Sequence, residues 1–333
     1  MISGVGQVGL FIENGFRFSR EEVARVKILL AVATYFGYIF IIVMYSTKLV
    51  KYLHLPMHLR SEVFPVIPGN STSKERSYYE DLDWWTRPRR HHLLQRGWFL
   101  FSDYFLLREY FRRDRSYWLF LYPWHIGFIL IITFHIFCFF GALVSLLGIP
   151  VTYGSPSLFG KVIFGLTLAT GVVSFLSGLF GSIGILIKRL TDKSLRNYAT
   201  PQNYFTYILL LAVFLSGLYS WYLDPAFSVY TNFWKGLITF KPIDVEPATA
   251  SHILLFAFLL IYLPFTRSLH YITRLFGFLF IRWDDKPNLR GSELEKEVEE
   301  MLNLKVSWNG PHMKPSLTWK EAASEAIVPE KNR

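Results

Sequence analysis

A chain of 333 residues that is 52% hydrophobic and 18% aromatic, with mean hydropathy +0.28 and only 18% charged residues, is too apolar for an ordinary soluble domain. Its formal net charge of +10 does not mark a nucleic-acid binder, because the basic residues gather in segments that flank apolar stretches. The single cysteine, Cys138, excludes an internal disulfide, a Cys-x-x-Cys-His attachment and an iron–sulfur cluster held by this chain alone, and reads as a small buried apolar residue.

Five stretches contain no Asp, Glu, Lys or Arg: 28–47, 116–160, 162–187, 197–223 and 247–266. Each reaches the roughly 20 residues needed to cross about 30 Å of hydrocarbon. In chain order we expect an N-terminal segment over 1–27, a first transmembrane helix over 28–48 and a basic, aromatic insert over 49–116. A second helix follows over 117–147, ended by Gly148, Pro150, Gly154 and Pro156. The third helix covers 160–187 and the fourth 201–223. A polar loop over 224–247 leads to a fifth helix over 248–276 and a tail over 277–333. The first apolar segment is too long for the core of a signal peptide and lacks a cleavage pattern, so it reads as an uncleaved span. The expected fold class is an all-α integral membrane protein, a five-transmembrane-helix bundle.

Residues 51–115 hold twelve Lys and Arg and 188–196 hold four, whereas 224–250 hold only Lys235 and Lys241. Basic loops face the cytoplasm. The expected arrangement is a multi-pass protein of the cytoplasmic membrane, with the N-terminus and the 224–247 loop outside, the tail inside, and helices two and five antiparallel.

Of nine histidines, His54, His58, His91, His92 and His312 lie in polar loops or the tail. His125 and His135 fall on the second helix, while His252 and His270 bracket the fifth. An ionisable side chain at membrane depth costs free energy and marks a functional site by default. At about 1.5 Å and 100° per residue, His252 and His270 face the same way about 27 Å apart. His125 and His135 stand about 15 Å apart, rotated by roughly 80°. Antiparallel helices then pair His125 with His270 and His135 with His252, leaving roughly 6 Å of slack at each end, part of which a kink at Pro264 would absorb. Two axial imidazoles per macrocycle is how b-type haem is held in a helix bundle, so two pairs mean two b haems between helices 2 and 5. The competing readings are a histidine proton relay in a polytopic transporter, which internal repeats would favour and which predicts no haem, and a zinc site, for which further ligands are missing.

At these residues the chain resembles the membrane cytochrome b family typified by the gamma subunit of respiratory nitrate reductase. The matching stretches are Trp124-His125-Ile126-Gly127 through His135, and Leu263-Pro264-Phe265-Thr266-Arg267-Ser268-Leu269-His270, which looks like the family's Pro-Phe-[Ser/Thr]-Arg-x-x-His ending. The resemblance covers about residues 26–282, and it implies the same four haem-iron axial ligands, His125 with His270 and His135 with His252. The long insert and the tail look less like the nitrate enzyme than like the DsrM branch, the cytochrome of the sulfite-reduction-associated DsrMKJOP complex, described in archaea as an Hdr-like menaquinol oxidoreductase subunit. That implies menaquinone as exchangeable substrate, a cytoplasmic iron–sulfur partner resembling heterodisulfide reductase, and further membrane and periplasmic cytochrome c subunits. The expected function is electron transfer between (mena)quinol and that partner in sulfur respiration; the alternative within the family is the gamma subunit of a respiratory nitrate reductase. No catalytic residue and no nucleic-acid partner are expected.

Arg267 lies three residues before His270 and could present its guanidinium to the propionates of the inner haem, or snorkel to the interface. Lys161 opens the third helix at its outer end, where the family has a lysine beside its quinone site; an interface anchor is the alternative. If quinol is oxidised at the outer haem, protons are released outside while electrons pass inward. Residues 88–115 mix basic residues with Trp98, Phe101, Phe105 and Phe111, as an interfacial helix or a docking surface would. In the tail, Ser292-Glu293-Leu294-Glu295 is a capping box, followed by a stripe of Leu294, Val298, Met301 and Leu302 suited to packing on a protein partner.

Overall fold

The structure is a computed structural model that describes residues 12–13, 16–17, 20–54, 93–266, 268, 270, 289–308 and 315–324. It divides into two compact units, residues 1–42 with 100–263, and residues 43–99 with 264–333. Apart from a two-residue antiparallel pair, β1 (Ile12–Glu13) and β2 (Phe16–Arg17), and an isolated bridge in the tail, the regular structure among the described residues is helical. Helix α1 (Arg20–Leu53) runs through both units. Among the described residues five helices are long and apolar enough to cross a membrane, and they make the chain an all-α, multi-pass membrane bundle.

A short helix, α2 (Leu93–Leu100), ends at the start of the first unit's second segment, where a π-helical turn at Phe101–Phe105 and α3 (Arg108–Arg113) lead into the second span, α4 (Arg115–Leu146). Asp114 caps α4: its Oδ1 accepts from the Tyr117 N–H at 2.9 Å and from the Ser116 hydroxyl at 2.9 Å. The N–H of Tyr117 first, then the Ser116 hydroxyl, hold the Asp114 carboxyl below its ordinary range, against a small opposing effect of burial. Helix α4 ends where Gly148 adopts φ 87°, a conformation open to glycine, while the Ile149 N–H reaches back to the Val144 carbonyl at 3.2 Å.

The third span, α5 (Leu158–Thr191), packs on α4 through glycines. A Cβ on Gly127 would lie 2.5 Å from the Gly178 Cα, and one on Gly181 would lie 2.3 Å from the Trp124 backbone. Backbones in such contact leave no room for larger residues, and small-residue interfaces are how membrane helices approach closely without a hydrophobic driving force. Ser174 seals the crossing by donating to the Gly127 carbonyl at 2.8 Å. Asp192 then stops α5 and caps α6 (Lys193–Asn197), and a Thr200/Asn203 capping box with Pro201 opens the fourth span, α7 (Pro201–Leu223).

Between the fourth and fifth spans the chain is not a plain loop. Helix α8 (Ser228–Ile238) buries Tyr230, Phe233 and Leu237, one face at helical spacing, and lies against α4. It is anchored by Phe227, which takes the left-handed conformation (φ 52°) and inserts its fully buried ring beneath Gly171. That backbone costs on the order of 1–2 kcal/mol, and burying the phenyl ring returns a comparable amount. The Tyr35 hydroxyl of α1 donates to the Leu237 carbonyl at 2.6 Å, and Lys27 pairs with Asp244 at 3.0 Å. The fifth span begins as α9 (Pro247–Tyr262) and gives way to a 3-10 turn at Leu263–Phe265, where Pro264 cannot donate to the ladder.

In the second unit, the Tyr45 hydroxyl shares a 2.8 Å hydrogen bond with Ser268, and Lys48 donates to the Pro264 carbonyl. The tail forms α10 (Glu293–Leu302), capped by Ser292 accepting from the Glu295 N–H at 3.2 Å, and α11 (Trp319–Ser324). Among the tail's described residues Leu294 and Val306 are buried, and a Lys305–Thr318 bridge ties the segment between the two helices.

Candidate functional site

Helices α7 and α9 pack side by side, as do α5 and α7, and α4 and α5, whereas α4 and α9 do not pack backbone to backbone along their lengths. Side chains span the distance between α4 and α9 instead. His135 of α4 and His252 of α9 stack with ring centroids 5.6 Å apart and planes 6° from parallel. Both are buried, His252 completely. The phenyl ring of Phe256, one turn beyond His252, lies against His135 at 3.8 Å. Around them stand Phe134, Phe175, Phe227 and Tyr230, packed mostly edge to face.

The two imidazoles are presented differently. His252 Nδ1 lies 3.0 Å from the Val213 carbonyl and 3.1 Å from the Ser216 hydroxyl, both on α7. A carbonyl can only accept, so Nδ1 carries the proton and Nε2 is left with its lone pair. That Nε2 is buried without a hydrogen-bond partner among the described residues, and so is Nε2 of His135. A buried polar nitrogen left unpaired costs free energy, and two of them stand here on adjacent rings. The donor set fits haem iron, which takes imidazole nitrogens as axial ligands. The hydrogen bond from the far nitrogen of His252 is the outer support that metal-ligating histidines use to fix tautomer and orientation. Among the described residues, no group of three or more His, Cys, Asp or Glu is arranged to hold a metal ion by protein ligands alone.

Beside His135 a small cavity is lined by Thr34, Tyr38, Tyr230, Trp234 and Phe256, with further apolar side chains closing it. The Tyr38 hydroxyl is buried there without a hydrogen bond among the described residues. None of Tyr38, Tyr230, Ser216 or Val213 was singled out from sequence. The available signal was the presence of hydroxyls at 216, 220 and 249 inside spans that are otherwise apolar.

The structure brings His135 and His252 together in the first unit. His125 lies in α4, half-buried, in that same unit, and His270 falls in the second unit, also half-buried. Lys161 is exposed in the first turn of α5 and does not line the His135 cavity. Arg267, His58, His91, His92 and His312 lie outside the described residues.

The five apolar helices define a multi-pass membrane bundle, and inside it His135 and His252 stack with both Nε2 atoms buried and without a hydrogen bond among the described residues. The family profile described as nitrate reductase gamma subunit matches residues 111–284, just over half of the chain, and the chain belongs to that family. It is therefore a membrane electron-transfer subunit of the cytochrome b type, which works in association with other redox subunits. No curated protein and no solved structure gives a significant match.

Proposed function

We propose that the chain holds two b haems through His125 with His270 and His135 with His252, and passes electrons from a membrane quinol to a partner subunit. The observation that carries this reading is the stacked His135–His252 pair with both Nε2 atoms buried and unpartnered. Bound there, haem iron would supply one-electron chemistry; the chain supplies the ligands, the dry aromatic surround and the hydrogen bond that orients His252. Arg267 is assigned to the propionates of the inner haem and Lys161 to a quinone headgroup arriving from the lipid. The quinol is menaquinol, and the acceptor is a cytoplasmic iron–sulfur subunit resembling heterodisulfide reductase, with further membrane and periplasmic cytochrome c subunits, in a sulfur-respiration complex of the DsrM type. The insert and tail, residues 49–116 and 277–333, support this branch over the nitrate enzyme. The termini follow the charge distribution, N-terminus outside and tail in the cytoplasm.

The test is a dithionite-reduced minus oxidised spectrum of the purified chain with a pyridine haemochrome count. Two haems b per chain are expected; a colourless protein would overturn the electron-transfer reading. Co-purification of a molybdenum enzyme in place of an iron–sulfur partner would move the chain to the nitrate branch.

A further inference from the structure

The fifth span is broken at Leu263–Phe265, where α9 gives way to a 3-10 turn, and His270 stands five residues beyond that turn. A 3-10 turn advances about 120° and 2.0 Å per residue, against about 100° and 1.5 Å in an α-helix. Three such residues rotate whatever follows by about 60° from the phase of an unbroken helix, enough to turn an imidazole from one neighbour toward the next. The helical phase of α9 therefore does not set the direction of His270. Contacts beyond the turn must set it.

Two side chains of α1 make such contacts, within the second unit. The Tyr45 hydroxyl shares a 2.8 Å hydrogen bond with Ser268, which lies two residues before His270 and is 9% exposed. One turn further along α1, Lys48 donates from Nζ to the carbonyl of Pro264, a buried residue. An unbroken helix would aim the Ser268 N–H at that carbonyl; here the N–H donates to the Thr266 hydroxyl at 3.1 Å. Backbone carbonyls at membrane depth need partners from within the protein, and the Lys48 amino group takes the place of the redirected N–H. A lysine that only anchors a helix end extends its amino group to water, as exposed Lys51 can. Lys48 is half-buried and directs its donor to the fifth span.

We propose that Tyr45 and Lys48 are positioning residues for His270. By holding Ser268 and the Pro264 carbonyl on the first span, they fix the rotation of the short segment that presents the His270 imidazole to haem iron. The inference rests on the reading of His270 as an axial ligand. It gives His270 an outer support corresponding to the Val213 carbonyl behind His252, with the difference that the support acts on the backbone that carries the ring.

The test uses the purified, haem-loaded full chain and reads each haem by its low-spin EPR signal, its redox midpoint and its rate of transfer to excess apomyoglobin. The EPR signal of a haem with two imidazole ligands responds to the angle between the ring planes, so it reports rotation of His270 directly. The component missing from His270→Ala identifies the haem concerned. Lys48→Met and Tyr45→Phe are each expected to shift the EPR signal and midpoint of that component and to speed its haem loss roughly tenfold or more, with the other component at wild-type values. Lys48→Arg, which keeps a charged donor for the carbonyl, should retain the wild-type signal. Tyr45→Phe removes only a hydroxyl, so the test survives a Met variant that does not fold. Equal changes in both haems mark a packing role and overturn the proposal. A component lost in His270→Ala but unmoved by Lys48→Met and Tyr45→Phe overturns the proposal alone; two intact haems in His270→Ala overturn the axial reading of His270 and the proposal with it.

Discussion

At the scale of single residues, the hydrogen bond from His252 Nδ1 to the Val213 carbonyl fixes one tautomer by folding alone. His135 and His252 face each other, so both should serve the same haem. His135→Ala and His252→Ala are expected to remove one haem of two, with the same spectral component lost in each, while His125→Ala and His270→Ala remove the other; reduced-minus-oxidised spectra on the four variants check this. Asp114 carries a separate prediction. Its carboxyl is held below its ordinary value chiefly by the Tyr117 N–H, so the folded state binds a proton less readily than the unfolded chain does. The stabilising contribution is therefore present above the unfolded value near pH 4 and is lost as pH falls through the lower, folded value. Protection of the Tyr117 amide, measured against its intrinsic exchange rate, should fall only below roughly pH 4, and Asp114→Ala, which removes the cap, should cost about 1 kcal/mol and abolish that pH dependence.

At the scale of elements, the α4–α5 crossing is the most demanding contact in the first unit. Gly127 meets Gly178 backbone to backbone, and Ser174 bridges them. Gly127→Ala places a methyl where the Gly178 backbone already stands, and overpacking of this kind costs about 1–3 kcal/mol. Because Phe134 and His135 lie two turns along α4 from Gly127, displacement of the helix should also lower haem retention. A thermal melt read at the Soret band checks both effects; an unchanged midpoint would mean that the crossing relaxes without strain.

At the scale of the whole molecule, the short connections of the first unit alternate the direction of its spans, so the end of α4, the start of α5, the end of α7 and the start of α9 belong to one face. Lys161 lies at that face. Cys138 is buried, so the wild-type chain gives a low background for cysteine labelling. Thr239→Cys, an exposed position between the fourth and fifth spans, should react with a membrane-impermeant maleimide in intact cells. Ser324→Cys, in the tail, should react only after the membrane is opened. The reverse pattern would invert the proposed orientation.

The division of labour between sequence and tertiary structure follows from the range of the forces involved. Crossing a bilayer needs only a run of apolar residues at 1.5 Å rise each, a local property, so the five spans and the all-α class were legible along the chain. Helix ends were legible for the same reason where glycine and proline punctuate the chain, as after α4, or where a polar residue caps its own helix, as Ser292 does. Four histidines in or beside the apolar stretches could be singled out because an ionisable side chain is costly in such a place. What the chain could not disclose is lateral. The Val213 carbonyl that orients His252, the insertion of Phe227 beneath Gly171, the docking of α8 on α4 and the contact of Lys48 with the Pro264 carbonyl all join residues from different helices. Helical periodicity says which way a side chain points along its own axis and nothing about which neighbour stands there. Close packing of the helices decides that, through glycines that allow contact at 127 and 178 and through aromatic rings that fill the space between α4 and α9.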